Sequence, residues 1–162
     1  MIYIGIDPGL NGAVAYLPRG GITVVQDTPT MEVESSGKTR NKYNIAAMAA
    51  MLRPYSYGSE VLVILESVHS MPKQGVASSF TFGEGLGMWK GIIAAFNLPL
   101  EMPSPQRWKK EMMADMGRDK DASRLRAIQL FPEMGDRLER KKDDGRAEAL
   151  LLAEYGRRLR KG

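Results

Sequence analysis

Met1-Ile-Tyr-Ile-Gly-Ile-Asp7-Pro-Gly-Leu-Asn-Gly12-Ala-Val-Ala-Tyr-Leu17 opens the chain, and its reading decides the fold. Ile2, Ile4 and Ile6 alternate with Tyr3 and Gly5, the period of a strand. Pro8-Gly9 and Asn11-Gly12 supply turn chemistry, and Ala13 to Leu17 is apolar again. The expected unit is a strand–turn–strand hairpin at the centre of a sheet. Asp7 ends the first strand, so its carboxylate is expected at the rim of a rigid sheet, beside glycine backbone that admits a ligand. A cap for its own turn is the other use of an aspartate there.

The 162 residues are expected to form a single domain, 1–162, with a substantial core. A hydrophobic share of 43% and a charged share of 26% are ordinary for a globular protein. No apolar run is long enough to span a bilayer, and the first residues carry no basic n-region. A cytoplasmic protein, of a bacterium or an infected host cell, is therefore expected. The absence of cysteine excludes disulfides, thiolate zinc sites and thiol catalysis. A formal charge of +4 favours a polyanionic partner.

Further along, Ile22 to Gln26 reads as a third strand and the polar stretch 27–42 as a surface loop. Asn44 to Leu52 has helical spacing. Glu60-Val-Leu-Val-Ile-Leu65 is a continuous apolar run, the pattern of a parallel strand buried on both faces, and Glu66 follows it directly. Val76 to Phe96 reads as a long helix despite Gly83, Gly85, Gly87 and Gly91, which helix propensity disfavours. These glycines imply close approach of a neighbour, either a second copy's helix or the chain's own sheet. Phe80 and Phe82 are assigned to the core. Leu98 to Met102 is a short strand, Ser104-Pro105 a capped helix start, and Asp121–Leu130 and Asp144–Arg160 are the last helices. Arg157 to Lys161 is expected to be a solvated basic tail. The order implies an α/β chain with a mixed sheet flanked by helices.

Three acidic sites fall at strand ends or a helix start: Asp7, Glu66, and the group Asp143, Asp144 and Glu148. If the first strand neighbours the buried one, Asp7 and Glu66 meet at one rim. Asp144 and Glu148 are four apart and share a helix face. Such a cluster repels itself unless cations sit within it. Oxygen donors, no cysteine and a single histidine point to Mg²⁺, with Mn²⁺ as a substitute. Two such ions, roughly 3.5–4 Å apart, suit phosphodiester hydrolysis. The bland uses are an N-cap for Asp143 or Asp144 and a lysine partner for Glu66.

Ile4-Gly-Ile-Asp7-Pro-Gly, Ile64-Leu-Glu66 and Asp144-Gly-Arg-Ala-Glu148-Ala-Leu together resemble the RuvC family of Holliday junction resolvases, most closely its bacteriophage branch. The likeness covers nearly the whole chain. It implies an RNase H-like fold with a five-stranded mixed sheet. It also implies a homodimer acting on branched DNA, and paired Mg²⁺-dependent nicks that leave 5′-phosphate and 3′-hydroxyl ends. The family's first two acidic residues fall on Asp7 and Glu66. Its C-terminal acidic pair is usually three apart; here Asp144 and Glu148 are four apart, with Asp143 an alternative ligand.

The resemblance also implies a lysine near the scissile phosphate, at Lys109 or its neighbour Lys110. Arg118 and Lys120, in Gly117-Arg-Asp-Lys120, are candidate phosphate contacts, as is Lys73. His69, three residues past Glu66, falls near the point where bacterial relatives carry an aromatic that works at the junction centre, and is a candidate to stack on an unpaired base or contact a phosphate. Each of these basic residues is equally at home as a solvated side chain. Two other functions fit parts of the pattern: a nucleotide-binding protein of the actin-like superfamily, for which the chain is short, and a non-catalytic junction-binding protein.

Overall fold

The computed structural model describes residues 1–56, 60–68, 75–117 and 121–160. The opening stretch is the expected hairpin: β1 (Ile2–Asp7) pairs antiparallel with β2 (Ala13–Pro18), whose other edge takes β3 (Val24–Asp27). The buried run forms β6 (Val61–Leu65), parallel to β1 with Ile6 opposite Leu65; β7 (Leu100–Glu101) extends that side. The result is a mixed five-stranded sheet in the order β3-β2-β1-β6-β7.

Residues 27–42 depart from the expected loop. Thr30–Ser35 (β4) and Lys38–Tyr43 (β5) pair as a separate two-stranded sheet. The loop reading followed from polarity, and both strands are largely polar and exposed, apart from half-buried Val33 and the buried root, Tyr43. Met31 and Val33 do alternate with Glu32 and Glu34, but two apolar positions that are not buried make a weak strand signal. Its turn, Ser36-Gly37, places both residues at positive φ, 52° and 72°.

Helices cover both faces. On one lie α1 (Ile45–Leu52), capped by Asn44 through the Ala47 N–H, and α2 (Val76–Ala95). They bury Met48, Leu52, Trp89, Ile92 and Ile93 against Ile4, Ile6, Val63 and Leu65. On the other lie α3 (Pro105–Met112), capped by Ser104, α4 (Ala122–Leu130) and α5 (Asp144–Leu159). These pack Trp108, Met112, Phe131, Leu150 and Leu151 with Tyr3, Leu62 and Ile64.

Strand parity does the positioning. Side chains alternate between faces. Tyr3 and Gly5 on β1, and Leu62 and Ile64 on β6, face α5; the next positions of the same parity are Asp7 and Glu66. Gly5 lets α5 lie directly on β1: a Cβ there would strike the Ala149 carbonyl. One helix therefore crosses the rim at which both carboxylates emerge. Two expectations fail nearby. Phe80 is 74% exposed on α2 rather than buried. Arg157 and Arg158 are not a free tail, since both bind the buried Glu154, at 2.6 and 3.0 Å.

Candidate active site

The rim gathers Asp7, Glu66, Glu148 and Lys109. Glu66, buried, accepts a hydrogen bond from the indole N–H of Trp108 at 2.9 Å. Glu148, on the second turn of α5, pairs with Lys109 Nζ at 2.8 Å and accepts from the Ser123 hydroxyl at 3.3 Å. The Gly9 N–H points at Asp7 from 3.5 Å. Lys109 also lies 5.0 Å from the Trp108 ring centroid, so α3 delivers a cation and an indole to one spot.

The electrostatics register these neighbours. Burial, then Glu148, then Glu66 push the Asp7 carboxyl from 3.8 up to about 7. Burial likewise raises Glu66, against the Trp108 hydrogen bond, and raises Asp144 with help from Glu148. Burial pulls the Lys109 ammonium down, but Glu148, Glu66 and Asp7 together leave it above its ordinary value. These are mutually repelling carboxylates with one lysine as countercharge.

The start of α5 docks on the turn after β1. Asp144 lines a cleft of about 470 Å³ together with Asp7, Gly9, Asn11, Phe82 and Gly145. Gly145 makes the approach possible: a Cβ there would run into the Asn11 carbonyl and come within 3.1 Å of Asp7 Oδ2. Asp143 is placed elsewhere. Arg140 holds it through its backbone N–H at 2.9 Å and its guanidinium at 2.7 Å, and Arg146 stands 3.6 Å away. The Arg140 hydrogen bond keeps its pKa below the ordinary range. The alternative ligand suggested by the sequence thus closes the turn into α5, on the side where Arg146 grips Asp27.

Lys110 is exposed beside Lys109 on the last turn of α3. His69, Lys73, Arg118 and Lys120 lie outside the described residues. Sequence reasoning missed three contributors. Trp108 looks apolar in the sequence, Ser123 carries no signal, and Gly145 is an unremarked part of the acidic motif. A tryptophan beside a lysine, following a capped start, was the one legible hint.

Among the described residues no three Asp, Glu, His or Cys side chains are gathered in a geometry that holds an ion. Lys109 occupies Glu148, and Trp108 occupies Glu66. The donor chemistry nevertheless fits a hard divalent cation: every donor is a carboxylate oxygen, and burial together with the neighbouring Glu148 and Glu66 pushes the Asp7 carboxyl up to about 7.

No family model matches the chain. Over 112 residues, 68% of its length, it is 31% identical to the chloroplastic Holliday junction resolvase MOC1 of Chlamydomonas reinhardtii. The chain spans 13% of that relative's length. Among solved structures it is similar to RuvC of Thermus thermophilus, with a TM-score of 0.59 and 17% identity over 98% of this chain and 97% of that one. It is also similar to the same protein in complex with a Holliday junction substrate, at a TM-score of 0.56 and 16% identity, over 100% and 98% of the two chains. The likeness to the solved structures is one of fold, the RNase H-like fold.

Proposed function

We propose that this homologue of the Holliday junction resolvases, built on the RuvC fold, is a metal-dependent endonuclease that resolves four-way DNA junctions by paired nicks. The observation that carries the reading is the parity of β1 and β6. It brings Asp7 and Glu66 to the rim crossed by α5, where Glu148 and Asp144 arrive.

In this reading Asp7, Glu66, Glu148 and Asp144 hold two Mg²⁺ ions, with Mn²⁺ able to substitute. When bound, the ions neutralise the carboxylates, polarise the phosphoryl oxygens and make water a competent nucleophile at neutral pH. The Trp108 N–H fixes the orientation of Glu66, and the Gly9 N–H that of Asp7. Lys109, released from Glu148, offsets charge developing on the phosphate, with Lys110 contacting the flanking backbone. His69, Lys73, Arg118 and Lys120 complete the DNA contacts. Water oxygen adds to phosphorus and the bond to the 3′ oxygen breaks, giving 5′-phosphate and 3′-hydroxyl ends. Asp143 is left out of the ligand set because its carboxylate is committed to Arg140.

Two sites acting on one junction require a two-fold dimer. The exposed face of α2 suits that role. Gly83, Gly87 and Gly91 have open space where a Cβ would stand, and Val76 and Phe80 are 88% and 74% exposed in line with them. Of the four helix glycines only Gly85 packs within its own chain, against Tyr43. Among the described residues no helix is long and apolar enough to cross a membrane.

A non-catalytic junction-binding protein is the second reading, favoured by the Lys109–Glu148 pair, which already supplies a countercharge. Incubation with labelled four-way, three-way and linear DNA, with and without Mg²⁺, separates the two. The nuclease predicts symmetric Mg²⁺-dependent cuts confined to branched substrates. Retained junction binding without cuts at any Mg²⁺ concentration leaves only the second reading.

A further inference from the structure

The β4–β5 hairpin takes no part in the carboxylate site, yet its charges are sorted. Cross-strand register sets Met31 opposite Lys42, Val33 opposite Arg40 and Ser35 opposite Lys38. Directly opposed residues share a face. Lys38, Arg40 and Lys42 therefore project from one side, whereas Glu32 and Glu34 project from the other with Asn41 and Thr39. The three basic side chains are exposed, and none enters an ion pair among the described residues. Lysines that merely keep an open strand edge from pairing have no need to share one face.

The hairpin is rooted at the catalytic rim. Tyr43, its last residue, is buried and donates its hydroxyl hydrogen to the Pro8 carbonyl at 3.2 Å, one residue past Asp7. Its ring packs on Gly85 of α2, where a larger residue would collide with it. The Asn44 N–H returns to the Pro29 carbonyl at 3.0 Å and closes the base. Arg40 and Lys42 line a groove of about 630 Å³ with Leu10, Val76 and Phe80, and Leu10 also lines the cleft that holds Asp7 and Asp144. Leu10 thus joins the carboxylate cleft to the groove beside the basic face.

We propose that the Lys38–Arg40–Lys42 face of this hairpin grips the sugar–phosphate backbone of a DNA arm beside the cleavage point. The assignment rests on the junction-nuclease reading and adds to it a contact outside the carboxylate site. Spacing supports it: alternate residues on a strand lie about 6.5–7 Å apart, about two steps of the roughly 3.4 Å axial rise per phosphate of one DNA strand. Such contacts position the protein without reading sequence.

The test is a K38A/R40A/K42A variant, with R19A/R53A as a control. The control removes two exposed positive charges, one of them at the opposite end of the sheet, where the Arg19 N–H meets the Met1 carbonyl. Four-way junction affinity is measured from 50 to 200 mM salt, with Ca²⁺ in place of Mg²⁺. Circular dichroism melting checks that each variant folds, and K38Q/R40Q/K42Q repeats the test should the alanine hairpin fray. The slope of log affinity against log salt is expected to fall by about 2–3 in the triple variant, from about 0.9 per lost contact. The control is expected to keep the wild-type slope. Equal slopes in the triple variant and wild type overturn the hairpin assignment while leaving the nuclease reading intact. Equal losses per charge removed in triple variant and control also overturn it, reducing the effect to net charge. A wild-type chain that does not bind the junction overturns both.

Discussion

Removing the charge of Asp7 is expected to stabilise the metal-free protein while abolishing its activity. Its carboxyl is raised from 3.8 to about 7, chiefly by burial and then by Glu148 and Glu66. The folded state therefore binds the Asp7 proton more tightly than the unfolded chain does. The group costs little below its unfolded pKa, and stability falls as pH rises from about 4 to about 7. At about 1.36 kcal/mol per pH unit, the rise from 3.8 to about 7 amounts to about 4 kcal/mol at pH 8. Asp7→Asn keeps the shape and an oxygen for the Gly9 N–H but removes the charge. Recovery of about 2–4 kcal/mol corresponds to about 5–10 °C in melting temperature for a chain of this size. The assay is a pair of melting curves in EDTA, at pH 8 and pH 5. The variant should melt higher at pH 8, with the gain reduced to less than half at pH 5. Millimolar Mg²⁺ should raise the wild type and leave the variant unmoved. A variant that melts below wild type at pH 8, or a gain equal at both pH values, refutes the electrostatic reasoning.

The other expectations concern the groups around Asp7. Trp108→Phe retains the packing but strands Glu66 without its 2.9 Å donor; urea unfolding at pH 8 should show a loss of about 1.5–3 kcal/mol, and cleavage should fall with it. Lys109→Met removes the cation that competes for Glu148. Calorimetric Mg²⁺ affinity of the DNA-free protein should rise while junction cleavage falls, and a drop in both would show that Lys109 helps to build the metal site. Gly145→Val drives a side chain into the backbone carbonyl of Asn11 and should cost about 1–3 kcal/mol in thermal unfolding, whereas Gly135→Val, in open space, serves as the tolerant comparison. Gly87→Leu fills the open stripe of α2. Analytical ultracentrifugation should find monomers, and a cruciform plasmid should yield nicked circles in place of linear product.

The sheet was legible because its strands obey two plain rules. Ile2, Ile4 and Ile6 alternate, and Val61 to Leu65 is uniformly apolar because both faces are covered. Legibility stopped where burial stopped patterning the sequence. The β4–β5 hairpin buries only its root, so its residues read as loop. Phe80 was placed inside on hydrophobicity alone, although it stands exposed on α2. At the site, Asp7 and Glu66 followed from strand ends, and α5 from its apolar face. The divergence of Asp143 from Asp144 did not follow, because it depends on Arg140, three residues upstream, folding back to take the carboxylate. Nor did Trp108, whose indole is apolar in composition and polar in the one bond that matters.

The account's central claim is that carboxylates from β1, β6 and α5 hold divalent cations at one rim. Anomalous diffraction from crystals soaked in Mn²⁺ tests it most directly. The account predicts Mn²⁺ peaks bound by Asp7 and Glu66, with Lys109 displaced from Glu148. A map without peaks at that rim at millimolar Mn²⁺, with Lys109 still seated on Glu148, would contradict it.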